Sequence, residues 1–321
     1  MAFLRVGVAA TLVLLVGCAV EADEPALDDD ATAAGRPAYG IVTVERVEGE
    51  GLSRASVSAK FMRVAPADRA LAEDLVSARA VVPNVGECAS LDSLEGLSVT
   101  RLTTALGGAD GAPALPQGFA LELLDVGDVS LVVHASGGDR PLDGDRAFVP
   151  LAPRAFPDVG DLASGVFYST PDATLPMLER ATSAYELTGS GAASVDSFLL
   201  DVGALPEHPT AVRVEQRGHE LAVSWAPRTT DASDEVGASV YIDVLGTEAF
   251  RCSFADDGNA VLPAGVLAAS DRGREATVAV HRITERVARL RHASDRTVTD
   301  LEDAEARVRF DLAATVRFSV R

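Results

Sequence analysis

The sequence predicts a mainly β protein built from two β-sandwich-like domains with few short helices, and three observations carry that prediction. The last segment alternates without interruption: Val308, Phe310, Leu312, Ala314, Val316, Phe318 and Val320 are apolar, and the residues between them are mostly Arg, Asp, Thr and Ser. Period two with no Gly, Pro or Asn inside marks a strand on a half-buried sheet. In Glu220–Pro227, Leu221, Val223 and Trp225 fall on one face. Elsewhere, short β-branched runs are separated by loops rich in Gly, Pro and Asp. The 321 residues, 47% hydrophobic and 24% charged, suit two globular domains. Aromatics are only 5%, so the cores must rest on Val, Leu and Ala.

The N-terminus reads as an address. Arg5 precedes an apolar core, Val6–Val16, which closes on Leu15-Val16-Gly17-Cys18. That order of charge, apolar core and small residues is an export signal. Its last four residues resemble a bacterial lipobox, which implies a signal over 1–17 and a lipid on Cys18. A membrane-spanning helix fits less well, because the apolar stretch is shorter than the about 20 residues a span needs. Residues 18–38 follow as a disordered acidic tether with Glu21, Asp23, Glu24 and Asp28–Asp30 and almost no large apolar side chain. Ala19 stands where an Asp would favour inner-membrane retention, so the expected location is the outer membrane, with the lipid as the contact to the bilayer.

Two domains are expected beyond the tether, 39–205 and 206–321. In the first, Ile41–Val44 and Ala55–Phe61 read as strands. Pro66–Arg79 reads as a short helix, with Leu71, Leu75 and Ala78 on one face. Phe119–Asp125 and Asp128–Ala135 flank a tight turn at Val126-Gly127, and Val166–Ser169 and Ala184–Leu187 add two more strands. Leu205–Pro209 is the expected boundary. Beyond it come Thr210–Val214, Glu220–Pro227, Ala238–Leu245 and Ala249–Phe254, with a hairpin turn at Asp256-Asp257-Gly258-Asn259. The alternating last segment would outrun most strands, so a bend or bulge is expected near Ala313-Ala314.

At Pro206–Pro227, L-x-V-x-W before a proline resembles the opening strands of a fibronectin type III or immunoglobulin-like sandwich. About 115 residues from Pro206 suit one such module. Phe250–Gly258, Val261–Ala264, Tyr185–Phe198 and Val308–Val320, with the export signal, resemble uncharacterised lipoproteins common in myxobacteria. These resemblances imply fold and address, and they carry no catalytic residue across.

Composition and motifs narrow the chemistry. The net charge of −20 sets the chain against nucleic acid. Cys88 and Cys252 are either a disulfide staple between the domains or two separately buried thiols. Neither belongs to a C-x-x-C pair, and none of the five histidines has a helical i, i+4 partner, so no metal or cofactor is expected. No G-x-S-x-G occurs, and the carboxylates read as solvated surface. Within Arg272–Arg296, seven Arg face only Glu275, Glu285 and Asp295. There Arg282, Arg286, Arg289 and Arg291 form a candidate patch for an anion or a partner, and the same charges also suit the wet face of two strands. The expected function is a non-enzymatic envelope module that binds or scaffolds a protein or glycan partner. The alternative is an envelope hydrolase whose residues converge from loops.

Overall fold

The computed structural model describes residues 38–50, 52–64, 68–76, 82–94, 121–134, 146–156, 163–170, 184–193, 195–218, 220–229, 236–267, 271–292 and 304–321. The signal, Cys18 and the tether up to residue 37 lie outside them, while Ala38, the expected end of the tether, is the buried first residue of a strand. The protein is mainly β. Its strands are β1 (Ala38–Gly49), β2 (Leu52–Arg63), β3 (Cys88–Ser90), β4 (Leu121–Leu123), β5 (Val129–His134), β6 (Arg146–Ala155), β7 (Ala163–Ser169), β8 (Ala184–Gly189) and β9 (Phe198–Ala204). Then come β10 (Arg213–Arg217), β11 (Glu220–Ser224), β12 (Val236–Leu245), β13 (Ala249–Phe254), β14 (Asn259–Leu262), β15 (Glu275–His292) and β16 (Glu305–Ser319). Helix α1 covers Arg69–Val76, within the expected Pro66–Arg79, of which 66–67 and 77–79 lie outside the described residues. Its buried face is Ala72, Glu73 and Val76, turned one residue from the expected one. Among the described residues no helix is long and apolar enough to cross a membrane.

The strands close on themselves. β1 pairs with β2 and, in parallel, with β16; β2 continues to β7, β7 to β6, β6 to β5, β5 to β8, β8 to β9, β9 to β15, and β15 back to β16. Two strands turn the corners. β6 pairs with β5 through Arg146–Leu151 and with β7 through Ala152–Ala155, and β15 meets β9 only at Leu290–His292. Strands that change sheets in this way link the two layers of a sandwich. The enclosed core holds Val42, Val44, Phe61, Leu131, Tyr168, Leu187, Phe198, Leu200, Leu290, Val308, Phe310 and Leu312.

A second core sits where β10, β11 and β14 form a three-stranded sheet facing β13, β12, β15 and β16. Leu221, Val223 and Trp225 project into it, as their alternation requires, against Val240, Ile242, Val244, Val278 and Val280. Three strands facing four across an apolar core make this part a β-sandwich.

The chain is not divided at 205/206. Arg36–Arg321 forms one compact unit. β15 and β16 are the reason: Val278 and Val280 of β15 and Phe318 of β16 serve the second core, while Leu290, Val308, Phe310 and Leu312 serve the first. Of the expected bend or bulge near Ala313-Ala314, a bulge is absent, because register with β15 is unbroken from Glu305 to Ser319. Leu312 and Ala313 are both buried, because the strand passes between cores there and is covered on both faces. Asp256–Asn259 is likewise a crossover and not a hairpin, since β13 and β14 belong to different sheets. Its Asp256 side chain turns inward to an arginine, described below.

Candidate functional site

Four neighbouring strands bring polar side chains onto one face of the large sheet. Tyr241 and Asp243 alternate with Val240, Ile242 and Val244 on β12, so the apolar set enters the second core and the polar pair faces the other way. Register places His281 of β15 opposite Tyr241, and Arg251 of β13 opposite Asp243. On β16, Asp311 stands one step along from His281.

The contacts among these groups are short. Tyr241 Oη donates to Asp311 Oδ2 at 2.8 Å, and His281 Nδ1 lies 2.8 Å from Asp311 Oδ1. His281 Nε2 faces Asp243 Oδ2 at 3.8 Å. Arg251 grips Asp243 with two bonds, Nε to Oδ1 and Nη2 to Oδ2, each 2.7 Å. The Tyr241 and His281 rings stack with centroids 4.2 Å apart, and the Arg251 guanidinium lies 4.2 Å from the Tyr241 ring centroid. All five side chains are largely buried, and Tyr241 is only 2% exposed.

Electrostatics follow from that packing. Burial raises the Asp311 carboxyl, but bonds from His281 and Tyr241 and the nearby Arg309 outweigh it and hold the group below the usual carboxylate range. Burial, with Asp311 beside it, pushes the Tyr241 phenol well above its ordinary value. Burial also works against the Arg251 charge, and the Asp243 pair more than offsets it, so the guanidinium is held above its ordinary range.

A histidine bonded to a carboxylate is the orienting half of a nucleophilic constellation. Here the other ring nitrogen faces a second carboxylate, and the neighbouring hydroxyl, that of Tyr241, already donates to Asp311. The network therefore closes on itself and locks the four strands in register. No group of three or more His, Cys, Asp or Glu among the described residues is placed to hold a metal.

The expected arginine patch does not exist as one surface. Arg282 is 1% exposed and points into the second core. Its Nε lies 2.7 Å from Asp256 Oδ2, Nη2 donates to Asp256 Oδ1 and Ala226 O at 2.9 Å, and Nη1 donates to Glu207 O at 3.0 Å. Trp225 Nε1 donates to the same Asp256 Oδ1 at 2.8 Å. Arg282 has even parity with Val278 and Val280, so the pleat sends it inward. Arg286 is half-buried over the Phe310 ring, 5.2 Å from its centroid, and crosses the bare backbone of Gly203. Arg289 and Arg291 alone are exposed, on the same face of β15. Cys88 and Cys252 are bonded to each other, directly opposite in the pairing of β3 with β13. Cys18 lies outside the described residues.

Helical His spacing does not reveal the His281 cluster, which holds one histidine on a strand. The available signal was polar residues at alternate positions in apolar strands: Tyr241 and Asp243, Arg251, His281, Asp311. Only strand order makes them neighbours.

No protein-family model matches the chain, and no curated protein matches it.

Proposed function

We propose that this chain is a lipid-anchored protein of the cell envelope, held at the outer membrane through Cys18, whose pleated body binds or scaffolds a protein or glycan partner without turning it over. The observation that supports a binding role is the self-satisfaction of the His281 network. Its carboxylates and its phenol are engaged by internal donors and acceptors, which suits a rigid platform better than a reacting centre. The experiment is a fractionation paired with crosslinking. Wild type sediments with envelopes and crosslinks to a saturable partner, and Cys18→Ser is released to the soluble fraction. A Cys18→Ser chain that stays in the envelope refutes the anchor; an envelope protein with no saturable crosslink refutes the binding role.

The second reading, an envelope hydrolase, is favoured by one contact, His281 Nδ1 to Asp311 Oδ1. His281→Asn separates the two. Loss of hydrolysis of an envelope polymer in a variant that keeps its fold supports the enzyme.

A further inference from the structure

We propose that the outer edge of β13 is a strand-docking site held shut by residues 82–94, with Cys88–Cys252 as the latch. This inference rests on the binding role above and names where the partner engages. An edge strand exposes unpaired N–H and C=O groups and is a ready template for another strand. β13 lies beside β12 near that margin of the sheet, and among the described residues the strand that covers it is short. β3 spans only Cys88–Ser90 and pairs with Phe250–Cys252. Just ahead of it, Gly86 N donates to Ser253 O at 2.7 Å and Ser253 N donates to Glu87 O at 3.0 Å. The cover comes from far away in the chain, 164 residues from Cys252. Over β3 and the residues just before it the apolar burial is small, with Val85 69% exposed and Cys88 packed only partly against the second core, while Leu94 at the far end of the segment is buried.

The covalent bond ties this short pairing down at Cys252. A dithiol reductant opens it by attack of one thiolate on the sulfur of Cys88, the half-buried residue of the pair, with the Cys252 thiolate as leaving group. The second thiol then resolves the mixed disulfide, so the dithiol becomes a disulfide and two protein thiols form, a two-electron exchange. The bared edge takes an extended polypeptide segment. Register sets its character: the positions opposite Cys252 and Phe250, now Cys88 and Ser90, flank one opposite Arg251, now Ala89. A segment with small side chains at those three places fits.

Hydrogen exchange of the purified full-length chain tests the latch and needs no partner. On reduction, and in Cys88→Ala, the Ser253 amide exchanges about tenfold faster or more while β12 amides stay protected. An unchanged Ser253 amide overturns the proposal, and so does simultaneous loss of protection throughout the second sandwich, which makes the disulfide a structural bond. A second measurement reads docking itself. A peptide of residues 82–94, supplied as its glutathione mixed disulfide, is offered to Cys88→Ala. An adduct on Cys252, with glutathione released, supports an edge that accepts a strand; absence of the adduct refutes it. If the envelope crosslinks fail while both assays succeed, the binding role falls and the latch stands.

Discussion

Asp256 is the residue on which the second sandwich depends most. It joins Arg282, Trp225 and, through Arg282, the carbonyls of Glu207 and Ala226. Removing one partner of a buried pair leaves an uncompensated charge, so Asp256→Ala should cost about 3–5 kcal/mol in urea unfolding. Asp311 sets the acid limit. Its folded pKa lies below the unfolded value of about 3.9, so its contribution is whole above that pH and is lost as pH falls through the folded value. Asp311→Asn should lower the urea midpoint at neutral pH and flatten its fall on acidification. Tyr168 acts at the other end. Burial pushes its phenol up to about 12, while it accepts from Val126 N and donates to Asp125. Stability present below the unfolded value of about 10 is lost as pH rises through the folded one, and Tyr168→Phe should shrink that alkaline loss. None of these partnerships was legible beforehand. Arg282 read as surface charge because its neighbours Arg286, Arg289 and Arg291 crowd the same stretch, and burial depends on what the opposite sheet provides.

At the scale of elements, alternation was a sound guide and connection was not. β11 and β16 follow from period two, and the tight turn between β4 and β5 follows from Val126-Gly127, where Gly127 has φ of 75°. β15 was hidden as one strand because Arg282, Arg286, Arg289 and Arg291 interrupt its apolar pattern. Asp256–Asn259 has hairpin chemistry, yet it links two sheets. The β15–β16 hairpin is the element that spans both cores, so its substitutions should report on both. Leu290→Ala, in the first core, should cost about 2–5 kcal/mol, and the amides of the second sandwich should lose protection with it. Gly203, at φ 68° and beneath the Arg286 guanidinium, admits no side chain without displacing that arginine. Gly203→Ala should be destabilising in the same assay, and Gly203→Ala with Arg286→Ala less than additively so.

For the whole molecule, a mainly β class and two apolar cores could be read from the sequence; their interleaving could not. A boundary at Leu205–Pro209 is sensible locally, since Pro206 and Pro209 bracket an irregular stretch, but long strands ignore it. Expressed alone, 206–321 keeps the sandwich strands and loses the β1 and β9 partners of β16 and β15, which bares Val308, Phe310, Leu312 and Leu290. That fragment should aggregate or give poorly dispersed amide spectra, whereas the full chain should melt in one transition. A separately folded fragment with a native-like spectrum would contradict the interleaved arrangement.

The parallel pairing of β1 with β16 has a kinetic consequence. Tyr39 meets Glu305 and Gly49 meets Thr315, so the earliest strand of the ring must wait for the latest one before its second flank is covered. Contacts between such distant parts of a chain make for slow closure. Until the final strand has emerged, β1 offers an open flank to any neighbouring polypeptide, and a truncation that removes Glu305–Ser319 leaves that flank open for good.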